Sequence, residues 1–163
     1  MNVKDVIRSS FGRSQMVTNM LVADLTDAEI MERPAPGANH IAWQLGHLIS
    51  SLGFFGAAIR PGSMPALPDG FSEQHAKETA GNDDPSAFLT KDEYVKLLDE
   101  QREAMLGLME TLSDDDMTAD SPEELRAYAP KVVDMIGLAA EHEMMHSGQL
   151  SVLRRKLGKP VAF

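Results

Sequence analysis

His142 and His146 stand four residues apart in the stretch Glu141-His142-Glu143-Met144-Met145-His146-Ser147-Gly148-Gln149-Leu150. On an α-helix that spacing puts two imidazoles on nearly one side, about one turn apart, so both rings can reach a single cation. The apolar positions around them, Val132, Met135, Ile136, Ala139, Leu150 and Leu153, recur at helical spacing, and both histidines fall on that inward stripe. Burying two imidazoles carries a desolvation cost. Either backbone and side-chain partners satisfy the pair, or an ion in the interior binds it. Metal sites in helical bundles draw on facing helices, and His47, on the edge of another helix's apolar stripe, is the candidate third ligand. Three neutral imidazoles with one open position make a catalytic-type centre.

His142-Glu143-Met144-Met145-His146 also fits HExxH, the zinc-protease pattern in which the glutamate is the general base. Such proteases take a third ligand from beyond the second histidine, yet residues 147–163 hold no His, Asp, Glu or Cys. An all-helical chain also lacks an edge strand for a peptide substrate. Glu143 is therefore read in two ways, as a catalytic residue that orients water at the metal or as an ordinary helix-surface carboxylate. His40, on the same side as His47, reads as a rim or surface residue, and His75 as solvated.

Four long amphipathic segments must position these residues. The first runs over about residues 2–25, with Val3, Val6, Ile7, Phe11, Val17, Met20, Leu21 and Leu25 on one face. Thr26-Asp27-Ala28-Glu29 is a capping box that can start a short turn. The second long helix opens after Asn39 as N-cap and carries Ile41, Leu45, Leu48, Leu52 and Phe55 inward, with His40, Gln44 and His47 in a line beside them. Residues 61–89, rich in Pro, Gly, Asp and Asn, form a long connection that crosses the surface or lines a site, partly helical. The Thr90–Glu93 capping box opens the third helix, with Tyr94, Leu98, Met105, Leu108 and Leu112 on its core stripe and a stop near residues 113–116. Ser121-Pro122-Glu123-Glu124 predicts a short helix with Ser at the N-cap. Pro130 suits the first turn of the fourth long helix, which ends at Leu157-Gly158. The order predicts an all-α, four-helix bundle with a long crossover between helices 2 and 3, as one domain over residues 1–163.

Bulk properties narrow the function. The net charge of −10 disfavours a nucleic-acid partner and an anionic membrane surface. The absence of cysteine excludes disulfides, thiolate metal sites and a cysteine nucleophile. No apolar run approaches the ~20 residues needed to span a bilayer, and the N-terminus does not read as a signal peptide, so a cytoplasmic location is expected. Eleven methionines read as adaptable core filling. Trp43 reads as bundle packing or a substrate wall, Gln149 as a hydrogen-bond partner of a ligand histidine or a cap on a neighbouring helix, and Arg154 and Arg155 as cations at the helix C-terminus.

Asn39-His40-Ile41-Ala42-Trp43-Gln44-Leu45-Gly46-His47-Leu48 resembles the second-helix signature of the DinB/YfiT-like superfamily of metalloenzymes. The run from His142 to Gln149, followed by Leu153-Arg154-Arg155-Lys156-Leu157-Gly158, resembles its fourth-helix signature. The likeness extends over nearly the whole chain in helix order and length, although the third-helix region carries no distinctive motif. The resemblance implies a divalent metal ion held by three histidines, which fall here on His47, His142 and His146, and a homodimer. Some relatives transfer small thiols such as bacillithiol or mycothiol, or isomerise with them. It thus implies a small-molecule substrate and a metal-dependent hydrolase or thiol transferase, with zinc, nickel or iron as candidate metals. Relatives often carry a basic residue after the second fourth-helix histidine; Ser147 stands there instead, which removes the basis for an anion contact at that point. The competing reading is a non-catalytic dimeric bundle in which the ion is a structural staple, sealed by a fourth protein ligand.

Overall fold

In the computed structural model, which describes residues 2–160, three of the four long helices begin at an N-cap side chain that accepts a backbone N–H. α1 (Val3–Val22) starts at Asn2, whose side chain accepts from the Asp5 N–H at 3.0 Å while the Asp5 carboxylate accepts from the Asn2 N–H at 2.9 Å. α2 (Asp27–Ile30) starts at the reciprocal Thr26–Glu29 box. α3 (Ile41–Ile59) is followed by the crossover, which contains α4 (Phe71–Gln74) and 3-10 turns at Lys77–Thr79 and Pro85–Ala87. α5 (Lys91–Thr111) opens at the Thr90–Glu93 box. α6 (Asp114–Thr118) opens at a fourth box, Ser113 with Asp116. A 3-10 turn at Glu123–Leu125 precedes α7 (Val132–Lys156). Gly158, at φ +68°, closes α7: its N–H donates to the Arg155 carbonyl and that of Lys159 to the Arg154 carbonyl, so two end carbonyls find donors.

The four long helices pack as a ring in which α1 and α3 each lie against both α5 and α7. Directions follow from the pairings. Ser14, Thr18 and Leu21 of α1 meet Glu143, Ser147 and Arg154 of α7 in ascending order, so these helices run parallel. Gly53 of α3 and Arg60, just past its end, meet Gln101 and Thr111 of α5, also in parallel. Arg8 and Gln15 against Glu110 and Asp99 make α1 and α5 antiparallel. His47 and Gln44 against His142 and His146 do the same for α3 and α7. Parallel α3 and α5 explain the crossover: the chain must travel back about 28 Å, the length of a 19-residue helix, before starting α5. Buried residues of all four long helices join one core, with Phe11, Leu21, Ile41, Leu45, Ile49, Leu98, Met105, Met109, Met135 and Ile136 among its largest.

Several local expectations are corrected. α3 is capped by His40, not Asn39: the His40 Nδ1 accepts from the Trp43 N–H at 3.1 Å, while the Asn39 carbonyl accepts from Gln44 Nε2. Val3, Val6 and Met20 are exposed, because α1 turns inward on Ser14 and Thr18, small polar residues that hydropathy alone leaves out. Pro130 precedes α7 rather than opening it. Ser121 caps nothing; its buried hydroxyl finds no partner, and residues 123–125 form only a 3-10 turn. The third long helix stops at Thr111, close to the expected place, and the acidic run beyond it opens the unexpected short α6, because the Asp116 carboxylate accepts from the Ser113 N–H at 2.9 Å. The ends of the expected domain, residue 1 and residues 161–163, lie outside the described residues. No described helix is long and apolar enough to cross a membrane.

Candidate metal centre

α3 and α7 bring His47, His142 and His146 together, with one ligand atom from each lying within 4.8 Å of the others. The Nε2 atoms of His142 and His146 are 3.2 Å apart, and the His47 ring centroid lies 5.1 Å and 5.4 Å from theirs. Tetrahedral ligation at about 2.0–2.1 Å places neighbouring ligand nitrogens about 3.4 Å apart. The closest pair already matches this, and small imidazole rotations bring in the third.

The hydrogen bonds select the tautomer of His146. Gln44 Nε2 donates to the Asn39 carbonyl at 2.8 Å, which turns Oε1 toward His146, and the His146 Nδ1–H donates to that oxygen at 2.9 Å. The proton therefore sits on Nδ1, and the Nε2 lone pair faces the other two histidines, as a ligand requires. Burial, and then the neighbouring imidazoles, push the His146 pKa down to about 3. Burial and the His47 ring push His142 down to about 4. Burial also lowers His47, against a bond to the His75 backbone that acts upward. All three are thus neutral and free to ligate near pH 7. The donor set suits a borderline divalent cation. His47 and His142 are half-buried while His146 is buried, and among the described residues no fourth His, Asp, Glu or Cys joins the group.

The neighbouring residues differ from several expectations. Trp43 is buried and stacks on His47, with centroids 5.0 Å apart and planes 6° from parallel, so it belongs both to the packing and to the wall of the centre. Gln149 is exposed, and the role of orienting a ligand histidine falls to Gln44. Gln44 was legible only as a polar residue in line with His47, with no sign of its partner on α7. His40, expected on the rim, is fully buried and spent on capping α3 and on the Asn82 carbonyl, 3.0 Å away. His75, expected in solvent, is 2% exposed and bonded to Phe71 and Tyr94.

Glu143 is no surface carboxylate either, being 1% exposed. It lies one residue round the helix from His142, about 100°, and so faces α1 and α5. Its oxygens accept from the Arg102 guanidinium, from the Thr18 hydroxyl at 2.6 Å and from the Ser14 hydroxyl at 3.3 Å. It is not a member of the three-histidine group, and its carboxylate points away from that group into the Arg102 network, whereas one of its two readings had it orienting water at the metal. Ser147 closes the same network through Thr18 at 2.9 Å. Arg154 is buried against Asp24 and the Leu21 carbonyl, a structural role.

A ring of four long helices with three histidines converging between two of them defines an all-helical bundle with a candidate cation centre. The chain belongs to the DinB superfamily, whose sequence model matches residues 10–150. Among solved structures it is similar to a conserved protein of Enterococcus faecalis at 18% identity, covering 98% of this chain and 99% of that one with a TM-score of 0.73, a likeness in fold. Among curated proteins none matches.

Proposed function

We propose that this protein is a divalent-metal-dependent enzyme acting on a small molecule, a hydrolase or small-thiol transferase, with His47, His142 and His146 as metal ligands. The observation that carries this reading is the convergence of three neutral imidazoles from two helices, one of them held by Gln44 with its lone pair toward the other two. The metal is zinc, nickel or iron. Once bound, such an ion supplies Lewis acidity for activating water or a thiol cosubstrate. The thiol must come from the cosubstrate, since the chain has no cysteine.

The chain's own residues have separable roles. Gln44 holds the His146 proton on Nδ1. Trp43 covers one face of His47 and limits its rotation. Glu143 is assigned to the scaffold through Arg102. The half-exposure of His47 and His142, with no fourth acidic, cysteine or histidine ligand among the described residues, favours an open coordination position over a sealed staple. Exposed Met16 and Met20 on α1 and Met144 and Met145 on α7 support the homodimer that the family resemblance implies. The whole chain is taken as one domain.

Elemental analysis of untagged protein tests the centre. Stoichiometric zinc, nickel or iron is expected, and His146→Ala should abolish it while helix content by circular dichroism stays. Retained metal in that variant would remove His146 from the ligand set. Thermal-shift screening with low-molecular-weight thiols and electrophiles then addresses the substrate.

A further inference from the structure

The crossover touches α3 at the turn that carries His47, and one buried pair of side chains fixes that contact. The His75 Nδ1 lies 2.8 Å from the Phe71 carbonyl, so this nitrogen carries the proton and donates. Nε2 must then accept, and it does so from the Tyr94 hydroxyl at 2.7 Å. The same phenolic oxygen accepts from the Leu89 N–H at 3.3 Å, so two distant points of the crossover are tied to one residue of α5. The His75 ring lies in the space that Gly46 leaves open: a Cβ on residue 46 would stand 2.0 Å from His75 Cδ2. An apolar ring would fill that space, but the two directional bonds also set the depth and rotation of residue 75.

The backbone held in this way faces the candidate centre. His75 fills the gap at Gly46, the residue next to His47 in α3. The Ala76 carbonyl accepts from the Trp43 indole N–H at 3.2 Å, and Trp43 stacks on His47. The place of His47 therefore depends on residue 76 through the stacked indole and on residue 75 through the backbone at Gly46. Neither His75 nor Tyr94 belongs to the ligand group.

We propose that His75, clamped by Tyr94 over Gly46, is a positioning residue that orients His47 for ligation and thereby tunes the affinity and coordination geometry of the centre. This inference rests on the metal-centre reading above. It requires that disturbing the clamp alter the centre from a distance, as partners one shell removed from a metal commonly do by ten- to hundredfold in affinity.

Three variants disturb it differently: Gly46→Ala displaces the ring, His75→Phe keeps the volume and loses both bonds, and Tyr94→Phe removes one hydroxyl. Zinc affinity by chelator competition, the visible spectrum of the cobalt(II)-loaded protein, and the emission of Trp43, the sole tryptophan, are the readouts. Zinc binding weakened by about ten- to hundredfold in His75→Phe and Gly46→Ala, with a changed cobalt spectrum and shifted Trp43 emission, is the expected result. Leu108→Ala, a core cavity elsewhere on α5, should lower the unfolding midpoint and move none of the three. Clamp variants that bind zinc like wild type with an unchanged cobalt spectrum overturn the inference and leave the centre standing. A wild type that binds neither cation overturns the centre and the inference with it. Should Gly46→Ala and His75→Phe fail to fold, Tyr94→Phe decides by the same readouts.

Discussion

α7 carries two inward-facing polar pairs, each four residues apart and offset by a single position. His142 and His146 face α3, and Glu143 and Ser147 face α1 and α5. The glutamate side is closed. An anion meets a cation, Arg102, whose second partner is Asp99, and the hydroxyls of Ser14, Thr18 and Ser147 fill the remaining positions. The histidine side gathers three like groups, each able to offer a lone pair, and no described carboxylate joins them. A buried network with opposite charges and complete hydrogen bonding is a scaffold. A buried set of like donors, with one tautomer selected by a dedicated amide, gains little for the fold, and departures of this kind mark functional sites. One helix thus serves both purposes by facing them about 100° apart.

The largest way to break this contrast is Glu143→Ala. It leaves the Arg102 guanidinium, which is 2% exposed, with Asp99 as its sole carboxylate partner among the described residues and should cost about 3 kcal/mol in urea unfolding. An apolar replacement of both, Glu143→Leu with Arg102→Met, should recover much of that loss. If Glu143→Ala instead unfolds like wild type, the scaffold assignment fails and a catalytic carboxylate returns to consideration. A smaller effect is expected from Gln44→Leu, which preserves bulk but releases the His146 tautomer. Metal affinity should fall about ten- to hundredfold with helix content unchanged, measured by chelator competition. Unaltered affinity would show that the amide is not what prepares the ligand.

The mildest test is pH. In the folded protein His142 and His146 titrate at about 4 and about 3, against an ordinary value of 6.5. Below pH 6.5 the unfolded chain takes up protons that the buried rings refuse. Stability of the metal-free protein should therefore be level above about pH 6.5 and decline as the pH falls toward about 4 and then 3. His40, His47 and His75 are shifted in the same direction by burial, so they add to the decline. A double variant, His142→Ala with His146→Ala, should show a shallower decline in urea melts across that range. An equal slope would mean that the two rings are solvated.

The contrast also explains what could be read from the chain alone. The spacing of His142 and His146 and the polar edge position of His47 are local helical facts, and the ligand candidates followed from them. The Thr26 and Thr90 boxes and the Gly158 stop were legible for the same reason, since each is completed within a few residues. The four-helix order followed from periodicity, and the crossover from a long stretch of breakers. What could not be read depends on partners far away in sequence. Glu143 needs Thr18 and Arg102, 125 and 41 residues off, to become a buried ion rather than a surface one. His75 needs Tyr94 and the gap at Gly46, and His40 becomes a cap only because Asn82 takes its other nitrogen. The Ser113 box was visible in principle, but beside a correct stop of α5 the run of three aspartates gives no sign of a new turn until Asp116 is seen to fold back.

The pairing of α1 with α7 brings residues 14 and 143, separated by 129 positions, into direct contact. Contacts of such long range slow folding, because much of the chain must be ordered before they form. During synthesis the inward face of α1 stays without α7 until that helix emerges from the ribosome. The three-histidine group waits with it, since two of its members arrive on that same helix. A chain stopped before residue 142 would keep an uncovered apolar face on α1 and a lone His47.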